Sequence, residues 1–238
     1  MGHCWIFYNP SATASPCHLP LHKGGLGAVI MEDEVRRMQN YTQQLVEAVV
    51  GRLFVPVEAS GRHVHVTREQ ALRLFGQPLE PLRPLSQPGQ FVARQRVTVV
   101  GLKGQFENVA VLGPERKSAQ VEVSLTDARA LGLKVPVRLS GDTEGSPGCL
   151  LKGPKGEVQL PGGVIAAQRH IHMSPRDAKH FHVCNGQLVS LKVYSRRPVI
   201  FEEVPVRVDE KFETAAHLDY DEANGCGFAD GDLGRILP

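Results

Sequence analysis

The sequence predicts a mainly β fold of 238 residues: two β-barrels related by an internal repeat, capped by short α-helices and preceded by an amphipathic helix. Three observations predict it. From Val55 onward the chain breaks into short apolar or alternating runs cut by Gly and Pro, among them "VPVEAS", "FVARQRVTVVGL", "ENVAVLG", "AQVEVSL", "VPVRLSG", "EVQLPGG", "QLVSLKVY" and "EVPVRV". Between these runs only short segments, such as Arg68 to Phe75, carry helical character. Finally, "RHVHVTREQA" at residues 62–71 returns as "RHIHMSPRDA" at residues 169–178.

The elements follow in order. Residues 1–30 hold no sustained period and are broken by Pro10, Pro16, Pro20 and Gly24-Gly25, so they are expected to be poorly ordered, and His3, His18 and His22 within them take no role. Met31 opens "MEDEVRRMQNYTQQLVEAVVGRLF", where Val35, Met38, Leu45, Val49 and Leu53 share one helical face behind an acidic start. The placement of those acids makes Met31 the expected natural start of the protein, which N-terminal mass analysis of native material tests. Beyond the helix, the repeat extends past the histidines. His63 falls on His170 at an offset of 107, and "FENVAV" (residues 106–111) falls on "FEEVPV" (residues 201–206) at an offset of 95. The second offset sets Thr126-Asp127-Ala128 on Asp221-Glu222-Ala223, expected helix starts after a strand, and sets Glu122 on His217.

The repeated histidines carry the chemistry. Residues i and i+2 of a strand point to one face about 6.6 Å apart, so His63/His65 and His170/His172 each can converge on one metal ion, with Val64 and Ile171 turned into the cores. Thr67 with Gln70, and Ser174 with Asp177, suit helix caps just after each pair. The repeat supplies a third ligand to each: Glu122 to the first pair and His217 to the second. Two sets of three N/O ligands with an open position describe catalytic Zn²⁺ sites, although another divalent ion fits the same donors. Taken alone, Glu122 reads as a solvent-facing strand residue, and its candidacy rests on the repeat. His217 lies in the apolar "TAAHLDYDEA", where a lone imidazole is costly. His180 and His182 read as surface or packing residues. Arg116, six residues before Glu122, offers a planar fork for phosphate, whereas Arg62 and Arg169 divide between that role and a turned-away surface position. "LSGDTEGSPG" (residues 139–148) reads equally as a cleft-lining loop and as a plain connection.

Composition excludes several classes. With 27 Lys+Arg against 25 Asp+Glu the net charge is +2, too small a field to gather nucleic acid or anionic membrane, and no apolar run approaches a membrane span. Five cysteines (Cys4, Cys17, Cys149, Cys184, Cys226) without a C-x-x-C pair suggest a reducing, cytoplasmic setting. Neither Cys149 nor Cys184 has a histidine at motif spacing, so neither reads as an activated nucleophile.

Together "RHVH", "QPGQF", "VTVVGLKG", "NVAVLGP", "QVEVSLTDARALG", "RLSG" with "GSPG", "GGVIAAQRHIHMSP" and "HLDYDEAN" resemble the PduL-type phosphate propanoyltransferases, the phosphotransacylases of bacterial microcompartments, from about Val55 to Asn224. The resemblance implies two helix-capped β-barrels with a dinuclear zinc site between them. It also implies a discontinuous first barrel (residues 54–61 and 168–238) and a central barrel (62–167), preceded by an N-terminal extension (1–53) whose helix after Met31 is of the kind that directs encapsulation and whose first thirty residues have no counterpart in the family pattern. It places metal ligands at His63, His65, Glu122, His170, His172 and His217, and phosphate binding at Arg116. The implied reaction is acyl-CoA plus inorganic phosphate to acyl phosphate plus coenzyme A, with propanoyl or acetyl as the acyl group and direct attack by phosphate. Implied partners in the bacterial cytoplasm are microcompartment shell or core proteins met through the N-terminal helix, while the same helix reads equally as one that packs on a barrel. Two other readings fit the same residues: a dinuclear zinc hydrolase of thioesters or phosphoesters, and a metal-stabilised scaffold.

Overall fold

A computed structural model describes residues 26–237. Its first element is α1 (Leu26–Leu53). This helix begins five residues before the expected Met31 and runs through the single Gly27, which a helix tolerates at a cost of about 1 kcal/mol against alanine. The acids at positions 32–34 therefore lie beyond the first turn, which contains none. Met31, Val35, Met38, Tyr41, Leu45, Val49 and Leu53 are exposed along it. The expectation of disorder fails for residues 26–30, which are helical, and for residues 1–25 it lies outside the described residues.

The next elements are β1 (Val55–Ser60), β2 (His63–His65), α2 (Arg68–Phe75), β3 (Pro81–Pro84), β4 (Phe91–Val100), β5 (Gln105–Gly113), β6 (Gln120–Val123) and α3 (Leu125–Leu131). They are followed by β7 (Val137–Arg138), β8 (Cys149–Lys152), β9 (Glu157–Leu160) and β10 (Val164–Ala167). The chain ends with β11 (His170–Met173), α4 (Pro175–His180), β12 (Leu188–Tyr194), β13 (Val199–Val208), β14 (Ala215–Asp219), α5 (Tyr220–Cys226) and β15 (Leu233–Leu237).

These strands form a closed six-stranded barrel, β1-β14-β11-β13-β12-β15, and a nine-stranded sheet in the order β7-β10-β6-β2-β5-β4-β8-β9 with β3 beside β4. The repeat is visible in the pairing. In the sheet β2 runs parallel to β5 and antiparallel to β6; in the barrel β11 runs parallel to β13 and antiparallel to β14. The strand before each histidine pair crosses over: β1 pairs with β14, and β10 pairs with β6. Two separate apolar cores result, with Val64 fully buried in one and Ile171 in the other, as the alternation requires. The closing step differs between the copies. β15 seals the barrel against β1, whereas β8 turns to β9 and the free edge of β10 takes β7, so the second body remains a half-barrel.

Helix caps end the key strands. Thr67 and Gln70 form a reciprocal capping box on α2, and Ser174 accepts from the Asp177 backbone N–H on α4, so each H-x-H strand stops just beyond its second histidine. On α3 and α5 the caps are Ser124 and Asp219, two residues ahead of the expected Thr126 and Asp221. Their side-chain oxygens accept from the N–H of Asp127 and Glu222, and those carboxylates return the bond to the cap backbone, which fixes the helix start at the earlier position.

Candidate metal and anion site

The strand register brings the predicted residues together. His63 stands opposite Glu122 across β2 and β6, and His170 stands opposite His217 across β11 and β14. Paired residues of adjacent strands share a face, so each third residue falls beside its histidine pair. The candidate ligand atoms of His63, His65 and Glu122 lie within 4.8 Å of one another, as do those of His170, His172 and His217. That is the scale of one ion's ligand shell. Both groups line a single cavity of about 540 Å³.

Ring orientation can be read from the outward nitrogens. His63 Nδ1 donates to the Gly61 carbonyl and His170 Nδ1 to the Gln168 carbonyl, each at 2.8 Å and each two residues upstream. A carbonyl can only accept, so the Nε2 of both rings is left with its lone pair. His63 Nε2 is 3.5 Å from Glu122 Oε2, and His65 Nε2 is 3.9 Å from Glu122 Oε1. In the other group His172 Nδ1 lies 3.2 Å from His217 Nε2. Two ring nitrogens, His65 Nδ1 and His172 Nε2, are buried with no hydrogen-bond partner. Buried orphan nitrogens are costly, and converging lone pairs repel, so these rings fit a cation that accepts electron density from them.

The electrostatics agree. Burial would lower His63, but the Glu122 carboxylate and the Gly61 carbonyl outweigh it and the net shift is upward. Burial opposes ionisation of Glu122 as well, yet His63 and His65 hold its carboxyl well below the usual range. His65 is pushed down to about 2 by burial and by repulsion from His63 and Arg116. Burial takes His170 and His217 down to about 4 and His172 to about 2. Five of the six groups are thus shifted toward the state a divalent ion requires, a neutral imidazole or an ionised carboxylate, and only His63 is shifted the other way, by the carboxylate beside it.

Arg116 lines the same cavity, fixed by its backbone N–H to Val66 O at 2.9 Å and by Nη1 to Ser140 Oγ at 3.1 Å. Facing the same space is Arg207 on β13, which the sequence reading missed. Burial lowers both guanidiniums, and each is drawn back up by Glu122, while Arg207 repels Arg116. Two cations confined in one cavity call for an anion between them, and a phosphate matches their forks. The signal for Arg207 was present: it is in register with His172 as Leu112 would be with His65, so the second copy carries a charge where the first carries an apolar side chain.

Arg62 and Arg169 are each held by a carboxylate, although Arg62 also lines the cavity. Arg62 grips Asp127 through Nη2 to Oδ1 at 2.7 Å and Nε to Oδ2 at 3.0 Å, and lies 4.1 Å over Phe106. Arg169 repeats the device with Glu222 at 2.6 Å and Phe201 at 5.6 Å. Both arginines tie a cap helix to its strand, and Arg169 does not line the cavity. Of the 139–148 loop only Ser140 lines the cavity. His180 and His182 are exposed, the former against the Arg52 carbonyl. Burial pushes the Cys149 thiol up to about 12, and neither Cys149 nor Cys184 lines the cavity. Among the missed residues, Gly61 has a specific demand: a Cβ there would meet Tyr220 Oη at 2.5 Å, because that ring lies across the turn that delivers His63.

Comparison with known proteins adds the following. A family model described as phosphate propanoyltransferase matches residues 56–229. A protein of that name from Clostridioides difficile is 48% identical over 206 residues, covering 84% of this chain and 99% of the relative. One from Enterococcus faecalis is 50% identical over 210 residues, covering 87% and 95%. One from Thermotoga maritima is 49% identical over 184 residues, covering 76% and 88%.

Proposed function

The chain belongs to the phosphate propanoyltransferase family and is an acyltransferase, and on that premise we propose that it moves an acyl group between coenzyme A and inorganic phosphate at a dinuclear metal centre. His63, His65 and Glu122 would hold one divalent ion, and His170, His172 and His217 the other, with zinc favoured by the nitrogen-rich donor set. Bound there, the ions supply Lewis acidity toward the thioester sulfur and phosphate oxygens. The observation that carries the reading is the convergence of both ligand groups and of Arg116 and Arg207 on one cavity.

Within that cavity Arg116 and Arg207 bind phosphate and orient one oxygen toward the thioester carbonyl. As the new C–O bond forms and the C–S bond breaks, these guanidiniums balance charge gathering on the carbonyl oxygen. Coenzyme A leaves as a thiolate and takes up the proton that hydrogen phosphate gives up. No protein nucleophile is needed: Ser140 Oγ is engaged by Arg116 and by Gln120 Nε2 at 3.0 Å, which positions it as a scaffold for the arginine. We read α1 as the segment that meets a microcompartment shell or core protein, supported by its exposed apolar residues Val35, Met38, Leu45 and Val49. None of the described helices is long and apolar enough to cross a membrane.

The test is acyl phosphate formation from propanoyl-CoA and phosphate, with metal content measured on the same sample and on His65→Ala and His172→Ala. Phosphate-dependent release of coenzyme A with two metals per chain, lost in both variants, supports the reading. Release equally fast without phosphate makes water the nucleophile and the protein a hydrolase. Retention of residues 1–53 on a reporter by isolated microcompartments tests the role of α1.

A further inference from the structure

Each metal group on this reading contains a different number of carboxylates: Glu122 is a member of one, and the other is built from imidazoles alone. The register shows where the missing charge has gone. On β6, Glu122 pairs with Ile165 of β10; on β14, its repeat partner His217 pairs with Glu58 of β1. Glu58 and Ile165 are themselves related by the offset of 107 that relates the two histidine pairs. One carboxylate therefore stands at each of the two equivalent two-strand positions, on the inner strand in one copy and on the crossed-over strand in the other.

Glu58 is placed to act on the ring beside it. Its Oε2 lies 3.6 Å from His217 Nδ1 and also accepts the Ser86 hydroxyl at 2.7 Å, a second hold on the same oxygen. With Nδ1 facing an anion, the proton of a neutral His217 belongs on Nδ1, and Nε2 is left free toward His172. His63 and His170 receive the same orientation from backbone carbonyls. His217 alone among these three takes it from an ionisable side chain.

We propose that Glu58 is a positioning residue for the three-histidine group, holding His217 with Nε2 turned inward and supplying that site with the negative charge its ligand set lacks. The proposal rests on the dinuclear reading above. Carboxylates behind metal-bound histidines raise ligand basicity, and their loss typically weakens metal binding about 10–100-fold.

The experiment follows transfer of Zn²⁺ from the full-length, zinc-loaded protein to an excess of a chromophoric chelator. Glu58→Leu is expected to release one of the two ions about 10–100-fold faster while the other leaves within about twofold of its wild-type rate. Glu58→Gln keeps an acceptor for Nδ1 without the charge and is expected to fall between. Ser86→Ala, which keeps the negative charge but removes one hold on the carboxylate, is expected to accelerate the same single ion by less than Glu58→Leu does, below about 10-fold. Acceleration of both ions together, or of neither, overturns the proposal, and the unaccelerated ion in Glu58→Leu reports that the fold is intact. Wild-type protein that takes up no zinc defeats the dinuclear reading itself, a result distinct from a Glu58 variant that behaves as wild type.

Discussion

Replacing Glu122 by Gln separates a metal ligand from an ion-pair partner, because the two roles respond differently to metal removal. Glu122 is buried, 6% exposed, and takes a hydrogen bond from Gln120 Nε2 that a Gln side chain can still accept. Without metal, the substitution removes the carboxylate that draws His63 upward, so the fold loses one ion-pair partner and keeps its hydrogen bond from Gln120. The metal-free protein is therefore expected to lose only about 1–2 kcal/mol. With zinc present, losing a ligand is expected to weaken one site at least ~100-fold, since outer partners alone are worth up to that factor. Binding at that site then contributes about 2.7 kcal/mol less to folding, which for a protein of this size lowers the zinc-dependent gain in Tm by about 5–10 °C. The assay is thermal unfolding of wild type and Glu122→Gln, each with zinc and with chelator. If the variant keeps the full zinc-dependent gain, or falls by the same amount with chelator as with zinc, Glu122 is an ion-pair partner and the ligand assignment is wrong.

Other expectations follow from the same geometry. Arg116→Lys loses the fork geometry and a charge-assisted bond worth about 1.5–3 kcal/mol, so kcat/KM for phosphate should fall about 10–100-fold while KM for propanoyl-CoA moves little; steady-state kinetics with each substrate varied in turn would expose a uniform loss instead. Arg169→Ala leaves Glu222 without its 2.6 Å partner and should cost about 1–3 kcal/mol in urea unfolding, with activity per folded molecule nearly unchanged because Arg169 stands outside the cavity. In metal-free protein His170 and His217 stay neutral to about pH 4, whereas unfolded imidazoles take up protons from about pH 6.5, so the unfolded chain binds more protons in between. Stability is then full above about pH 6.5 and declines as the pH falls toward 4, by up to ~3 kcal/mol for each residue; urea titrations of chelated protein that are flat across this window would contradict the burial of these rings.

Much of the site was legible because a period-2 strand and an internal repeat are both sequence patterns. The H-x-H spacing put two imidazoles on one face, and the offset of 95 found Glu122 and His217, which the structure sets opposite His63 and His170. The α2 cap was readable for the same local reason. Arg207 and Glu58 were not found because each breaks the repeat: one stands where the other copy has Leu112, the other where it has Ile165. A repeat argument looks for likeness, and these residues act by difference. The roles of Arg62 and Arg169 depended on the N3 carboxylates of distant helices, Asp127 and Glu222, a contact across the chain that strand alternation does not encode. The half-barrel was hidden because β8 takes the place of β15 beside the long strand but then turns to β9 instead of closing on the crossed-over strand, and whether a sheet closes depends on which edge the next strand covers. The start of α1 was misplaced because acids were taken as an end marker, when Gly24-Gly25 was the stronger signal.

The crossing of β1 and β10 sets an order of events for a newly made chain. Among the described strands β1 leaves the ribosome before any other, and its two edges are covered by β14 and β15, which follow all the rest, with Val55 meeting Gly234. Until then β1 is an unpaired edge, and His170, His172 and His217 have no closed barrel behind them. The nine-stranded sheet needs only residues up to β10 and can assemble earlier, but its β10 is tied by a two-residue link to β11 of the unfinished barrel. Nascent protein thus acquires its two ligand groups in sequence, Glu122's first and His217's last. A chain that stops short of its final strand leaves one group complete and the other without its wall.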